Sequence, residues 1–311
     1  MQTSHKLTRI FVALFALVVM SMAALAQTDI TVSDQKAGNV LVYPYYNSNS
    51  QTKADTRLTL SNLSPIFTVP VHLFFLDKSC SQADTYVCLT PNASIAMKAS
   101  EFDPEQLGWV LAVAVTPLGL PADGLANTLI GNAFVNDGDY VGNYGAEAFR
   151  DTRNITFDPA AGTASFTISA PNSYAIEIQS PADAVGQKIV SVGLNGSLVA
   201  GNLAGAGQRG TGVVYNGNEK PFGSFSPFFA GNCRAEAIIT ATSPRVPLGL
   251  GNLIPSGQVG TMRVNVGGAA AGGAVGLLMT PKTAKWSGIR GLHKTSEVPS
   301  TITIPVFFPM C

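Results

Sequence analysis

The chain has 311 residues, of which 46% are hydrophobic and only 12% are charged, and its 19 basic residues balance its 19 acidic residues. This balance offers no basic footprint for nucleic acid and no polybasic patch for anionic lipid. Glycine (31 residues) and proline (19 residues) are abundant. That mixture favours short strands joined by turns over a helical bundle.

The N-terminus has the layout of a secretory signal peptide. Lys6 and Arg9 precede an apolar run over residues 10–20, and Ala24-Leu25-Ala26 follows it. Small residues suit the signal-peptidase site, and the run is shorter than the roughly 20 residues of a membrane span. We therefore predict a signal peptide over 1–26 and a secreted or periplasmic protein that begins at Gln27, with no stable membrane span after cleavage. An uncleaved membrane anchor is the less favoured alternative.

Strand patterns recur along the rest of the chain. Runs 71–76 and 109–115 are apolar on both faces, as in strands that are covered on both sides. Residues 163–170 and 174–179 alternate apolar and polar side chains around Pro171-Asn172-Ser173, which predicts a hairpin. Further predicted strands cover 39–46, 56–62, 128–135, 187–192, 211–216, 234–241, 260–266, 274–280 and 301–308.

The fold class predicted from these patterns is all-β, an antiparallel β-sandwich architecture with very little helix. One short helical turn is expected at Asp103-Pro104-Glu105-Gln106, where Asp103 can cap and Pro104 fits the first helical position. Residues 193–217 hold eight glycines, so we place a boundary near residue 205. The prediction is two packed β-domains, over 27–205 and 206–311.

The four cysteines Cys80, Cys88, Cys233 and Cys311 follow the predicted signal peptide. An even number of cysteines in an exported chain indicates disulfides. The residues between Cys80 and Cys88 look turn-like, so we expect Cys80 to pair with Cys88 and Cys233 with Cys311. A metal site is the weaker interpretation, because the chain has no Cys-x-x-Cys pair.

Motifs for catalysis and cofactor binding are weak. The glycine-rich sequence 205–210 matches G-x-G-x-x-G, but a strand-like segment follows it where a dinucleotide site needs a helix. His72 lies within an apolar run and His293 is expected in a loop. With no G-x-S-x-G elbow, we predict no catalytic residue, no cofactor and no metal ligand.

Three observations stay open as alternatives. A glycosidase needs two carboxylates, and the candidates are Asp103, Glu105, Glu147, Asp151 and Glu236, of which Glu147 has the least evident structural role. Residues 136–139 (Asn-Asp-Gly-Asp) place oxygen ligands close together, but a plain turn is favoured over a calcium loop. Tyr43, Tyr45 and Tyr46 with Trp109 could form a sugar-stacking platform, although such aromatics are more often core residues.

Several phrases in residues 39–150 resemble a group of uncharacterised exported bacterial proteins that are rich in β-structure. The phrases are 42–46 (VYPYY), 58–62 (LTLSN), 71–75 (VHLFF), 88–91 (CLTP) and 145–149 (GAEAF), with a fainter echo in 304–311 (IPVFFPMC). The resemblance implies bacterial export and supplies no activity or site residues.

These observations favour a non-enzymatic structural or adhesive protein of the cell envelope or the extracellular space. Its partner is unknown, and contact with a cell surface or polysaccharide fits this class. The alternative is a carbohydrate-binding module or carbohydrate-active hydrolase.

Overall fold

β-Strands make up most of the described chain. The computed structural model describes residues 32–33, 36–52, 54–77, 79–123, 127–203, 210–225, 233–239, 253–266, 272–283, 287–309 and 311, so the predicted signal peptide lies outside the described residues. The strands are, in chain order, β1 (Val32–Ser33), β2 (Val40–Asn47), β3 (Asp55–Asn62), β4 (Val69–Asp77), β5 (Gln82–Leu89), β6 (Ser94–Lys98), β7 (Leu107–Ala114), β8 (Leu129–Asn136), β9 (Val141–Gly145), β10 (Glu147–Phe149), β11 (Arg153–Asp158), β12 (Thr163–Gln179), β13 (Lys188–Gly193), β14 (Gly196–Ser197), β15 (Gly210–Tyr215), β16 (Pro221–Phe225), β17 (Arg234–Ile238), β18 (Val259–Val266), β19 (Ala274–Thr280), β20 (Gly288–Gly291) and β21 (His293–Pro305).

These strands form four sheets. Sheet A has the order β1-β10-β2-β7-β4-β5, and sheet B has the order β6-β3-β8-β9. Sheet C is β17-β13-β19-β20, and sheet D is β14-β21-β12-β18-β15-β16, with β11 also paired to β12. Apart from the parallel pair β14–β21, the pairings between these strands are antiparallel. The prediction of an all-β fold with very little helix is confirmed.

The alternation of side chains along the strands builds three hydrophobic cores. Core 1 contains Leu41 of sheet A and Leu58 of sheet B. Core 2 contains Val42 of sheet A and Phe166 of sheet D. Core 3 contains residues of sheets C and D. Because neighbouring residues of a strand point to opposite faces, Leu41 and Val42 enter different cores, which explains why the strands of sheet A are apolar on both faces.

The hairpin predicted around Pro171-Asn172-Ser173 is wrong. Residues 163–179 form one continuous strand, β12. The three turn-like residues lie at shifts of register between β12 and β21, at Pro171/Ser173 and Ser173/Tyr174. An irregularity of this kind absorbs an extra residue and bends a strand without reversing it. The two halves of β12 pair with different neighbours, β11 before the irregularity and β18 after it.

The predicted disulfide pairing is also wrong. Cys80 pairs with Cys233, and Cys88 pairs with Cys311, with Cα–Cα distances of 5.2 Å and 5.8 Å. The segment after Cys80 is a strand, because β5 begins at Gln82. The seven residues from Gln82 to Cys88 span roughly 20 Å in an extended chain, far beyond the reach of a disulfide. The turn-like composition of this segment therefore misled the prediction.

The helical turn expected at 103–106 lies elsewhere. A short 3-10 helix covers Ala99–Glu101, where the Lys98 backbone N–H donates to the Glu101 carboxylate at 3.0 Å. Glu105 instead has a left-handed backbone with φ of +63°, which is incompatible with a helix. None of the described helices is long and apolar enough to cross a membrane.

Strands from both sides of residue 205 share sheets. In sheet C, β13 pairs with β17 and β19, and in sheet D, β12 pairs with β18 and β21. The disulfide Cys80–Cys233 joins the same two parts of the chain. Hydrogen bonds and a covalent link therefore cross the predicted domain boundary.

Candidate functional site

The aromatic residues considered as a sugar-stacking platform lie in the protein interior. Tyr43, Tyr45, Tyr46 and Trp109 each expose 2% or less of their surface. A sugar can stack only on an exposed ring face, so these residues do not form a platform. The interpretation of the four residues as core is confirmed.

The tyrosine hydroxyl groups act as hydrogen-bond donors inside the protein. Tyr43 donates to the Thr59 carbonyl oxygen at 2.7 Å, and Tyr45 donates to the Asp137 carboxylate. Tyr46 donates to a carboxylate as well, and burial raises the pKa of all three hydroxyls above the ordinary value. The tyrosines are therefore neutral donors at physiological pH.

Two buried cations lie beside these rings. Lys188 Nζ is 4.3 Å from the ring centroid of Tyr140 and 4.8 Å from that of Tyr45. Arg234 lies over Tyr45 at 5.1 Å and contacts Glu236, whose carboxylate is also 3.8 Å from Lys188. Burial lowers the pKa of Lys188 to about 8 and that of Arg234 to about 10. Both cations thus have aromatic and anionic partners, an arrangement that stabilises buried charge.

Two of the candidate carboxylates are engaged within the structure. Asp103 accepts the Tyr46 hydroxyl, and burial raises the pKa of Asp103. Glu236 pairs with Arg234, two residues before it on β17. These contacts give both acids a structural role.

The other candidate carboxylates lie on separate elements. Glu105 is in the turn before β7, Glu147 begins β10, and Asp151 lies before β11, 3.9 Å from Arg153. The candidate calcium loop is a turn between β8 and β9, in which Asp137 Oδ1 accepts the Tyr140 backbone N–H at 2.8 Å. Aspartate is common in turns because its side chain can accept a nearby backbone N–H in this way.

His72 is a buried residue of β4, as the sequence predicts. Its Nε2 is 2.9 Å from Asp84 Oδ2, and its ring stacks on Tyr86 with centroids 4.1 Å apart. Burial outweighs the contact with Asp84 and lowers the pKa of His72, so the ring is neutral at physiological pH. His293, expected in a loop, is the exposed first residue of β21.

The glycine-rich match at 205–210 falls almost entirely outside the described residues. The segment that follows it is strand β15. The expectation of a strand after the motif is therefore confirmed, and the helix that a dinucleotide site requires is absent from that position.

An apolar cleft lies beside the start of β4 and the end of β7. Its volume is about 390 Å³, within the range of small binding sites. Its walls include Phe67 of the β3–β4 loop, Pro70 of β4, Val115 just after β7, and Ile155 of β11. Sequence reasoning missed this cleft, because its walls come from segments far apart in the chain.

Exposed apolar side chains lie on two segments that line the cleft and on the tail after β21, which lies beside one of them at Gly119. We call them the apolar patch: Ile66, Phe67, Leu118, Phe307 and Phe308, each with more than half of its surface exposed. Contact between the segments is close, since a Cβ at Gly119 would clash with the Phe307 carbonyl oxygen. Adjoining exposed apolar residues often mark an interaction site.

The segments that carry the apolar patch are held in place by specific bonds. The buried Asn62 amide donates to the carbonyl oxygens of Phe67 at 2.8 Å and Leu89 at 3.0 Å. Tyr86 donates to the Phe307 carbonyl oxygen at 2.9 Å, and the Cys88–Cys311 disulfide joins the end of the tail to β5. The patch is therefore presented on a fixed backbone.

Comparison with known proteins adds no activity. No protein-family model matches the sequence, and no curated protein matches it. The crystal structure of Thermotoga maritima 1070 aligns with 37% of this chain and 97% of its own length, at 10% identity and a TM-score of 0.29. A GH78 family rhamnosidase of Bacillus sp. GL1 aligns over 88% of this chain, at 9% identity and a TM-score of 0.13. The chain spans 31% of the rhamnosidase, and neither alignment is close enough to indicate a fold or an activity.

Proposed function

We propose that the chain is an exported, non-enzymatic structural or adhesive protein that contacts its partner through the apolar patch. The observation that carries this proposal is the rigid exposure of Phe67 and Phe307 beside an apolar cleft. When the backbone that carries exposed aromatic side chains is already fixed, binding costs less conformational entropy.

The disulfides support an extracytoplasmic location. All four cysteines are paired, and stable disulfides are typical of secreted and periplasmic proteins. In this proposal the signal peptide over residues 1–26 is removed and the mature chain begins at Gln27.

The burial pattern supports a layered sandwich as the arrangement of the sheets. Every residue of β13 and β19 in sheet C is buried, whereas β3 of sheet B and β12 of sheet D bury mainly alternate residues. A strand covered on both faces belongs in an inner layer. We propose that sheets A and C form the inner layer, between B and D.

The test is retention on the cell envelope. Isolated envelope from the source bacterium is mixed with purified protein, and the bound fraction is measured after sedimentation. Replacing Phe67 and Phe308 together by Ser removes two exposed rings from the patch, so we expect retention to fall by about tenfold, equivalent to about 1.4 kcal/mol.

The matched control replaces Val185 and Val199, which are exposed elsewhere on the surface, by Ser. Unchanged retention of the Phe67→Ser/Phe308→Ser variant would contradict the proposal. Retention that free oligosaccharide abolishes would favour the carbohydrate-binding alternative. Hydrolysis of chromogenic glycosides by the wild-type protein, lost in Glu147→Gln, would establish the enzyme alternative.

A further inference from the structure

Strand β11 is an edge strand of sheet D. Within the described residues, β12 is the one strand that pairs with it. Five of its six residues, all except Ile155, are exposed. An edge strand presents unpaired backbone N–H and C=O groups that another strand can use.

The inward face of β11 adjoins core 2. Phe157 lies opposite Ala164 of β12, and Ala164 is on the same face of that strand as Phe166, a core 2 residue. Ile155 packs against core 2. Phe157, however, leaves 48% of its surface exposed, so apolar surface on this face of β11 remains in contact with solvent.

The cleft opens on this same side of core 2. Ile155 forms one wall, and Val115, which belongs to core 2, forms another. The lining also includes Thr68, Thr116 and Thr128, but most of the cleft surface is apolar. The cleft therefore offers mainly apolar walls to an incoming group.

We propose that an extended segment of another polypeptide adds to the free edge of β11 and inserts an apolar side chain into the cleft. Strand addition uses backbone hydrogen bonds for affinity and pockets for alternate side chains for specificity. An extended strand fits both the edge of β11 and the cleft. Its backbone can pair with β11 while alternate side chains point towards core 2.

The geometry of β11 limits the length of this pairing. The register shifts between Arg153 and Thr156, and Asn154 has a left-handed backbone with φ of +52°. Regular pairing is thus confined to Thr156–Asp158. Affinity must then depend strongly on the side chain in the cleft, and the ligand is a short strand with apolar residues at alternate positions.

This inference rests on the proposed function and names its partner, and synthetic peptides test it directly. The probe is a capped eight-residue peptide with Leu at alternate positions and Thr or Lys between them. Binding to the purified full-length chain is measured by calorimetry. Methylation of the peptide backbone nitrogens removes the donors, so it should weaken binding by about tenfold or more, equivalent to about 1.4 kcal/mol. A scrambled peptide of the same composition should bind as weakly.

Two matched variants locate the site. Leu120 lines the cleft, whereas Val185 is exposed elsewhere on the surface and belongs to neither the cleft nor the apolar patch. Leu120→Lys should weaken peptide binding by about tenfold because it desolvates a charge against an apolar ligand, while Val185→Lys should change it by less than about twofold. Circular dichroism and Tm test whether both variants are folded. If Leu120→Lys does not fold, Ile155→Thr serves as the second cleft variant.

The inference would be overturned if the methylated peptide bound as tightly as the unmethylated peptide. It would also be overturned if the two lysine variants weakened binding equally. Dimerisation that Leu120→Lys abolishes would overturn it too, because the occupant would then be a second copy. If the peptides fail to bind while envelope retention still depends on Phe67 and Phe308, strand addition fails and the proposed function stands.

Discussion

The two disulfides join the same β4–β5 hairpin to distant parts of the chain, but they lie in opposite environments. Cys80 and Cys233 are buried members of core 2, whereas Cys88 and Cys311 are exposed. Both close long loops, with sequence separations of 153 and 223 residues. Loop-closure entropy changes slowly with length, so the two bonds restrict the unfolded chain to a similar degree. Any large difference between them must come from the folded state.

The largest effect is expected from removing the buried bond. Cys80→Ala/Cys233→Ala should lower the free energy of unfolding by about 5 kcal/mol, from the restored entropy of the unfolded chain and the cavity left in core 2. Urea unfolding measures this change. A loss below about 2 kcal/mol would mean that core 2 repacks around the missing sulfurs.

Removing the exposed bond should cost less. Cys88→Ala/Cys311→Ala leaves no buried cavity, and the short tail after β21 can fray, which returns entropy to the folded chain. We expect a loss of about 2 kcal/mol, at the low end for disulfides, measured by the same urea titration. If the loss equals that of the buried pair, the tail contributes as much to the folded core as Cys80 and Cys233 do.

Partial reduction should separate the two bonds kinetically. Thiol–disulfide exchange needs access of a thiolate to a sulfur atom, which only the exposed bond provides. At low dithiothreitol, Cys88 and Cys311 should be alkylated at least about tenfold faster than Cys80 and Cys233. Peptide mapping by mass spectrometry follows all four thiols. Simultaneous alkylation would show that both bonds open by unfolding.

The smallest effect concerns His72 beneath the tail. Because burial lowers its pKa below the ordinary value of 6.5, the unfolded chain binds more protons than the folded chain between the two pKa values. Acidification below about pH 6.5 should therefore lower Tm. His72→Gln, which keeps a donor for Asp84, should reduce this fall, whereas His293→Gln at an exposed site should not. An equal pH profile in His72→Gln would assign the fall to other groups.

Local patterns in the sequence predicted most strands. Residues 260–266 and 274–280 were assigned within one residue of β18 and β19, because alternation and continuous apolar runs are properties of a single segment. The Asp137-Gly138 turn was also predicted, and Gly138 has φ of +82°, as a tight turn between strands often requires. Apart from the helical turn expected at 103–106, the predictions that failed concern which segments meet.

The candidate site could not be predicted for the same reason. Phe67, Leu120 and Ile155 occupy three unrelated positions in the chain, and no spacing among them signals a cleft. The exposure of Phe307 and Phe308 was equally hidden, since an apolar pair near the C-terminus fits a strand end as well as a surface. Which apolar residues are buried depends on how the sheets pack. Composition shows only how many apolar residues are available.

The sequence by itself determined that this protein is built from β-strands, because the alternation of apolar and polar side chains can be recognised within a single segment. It also favoured an interior position for Tyr43 and Trp109, which their burial confirms. The tertiary structure decided the partner of each cysteine, the continuity of β12 and the position of the cleft. Alternation tells which face of a strand is apolar, whereas pairing depends on contacts between residues up to 223 positions apart, which no local pattern specifies.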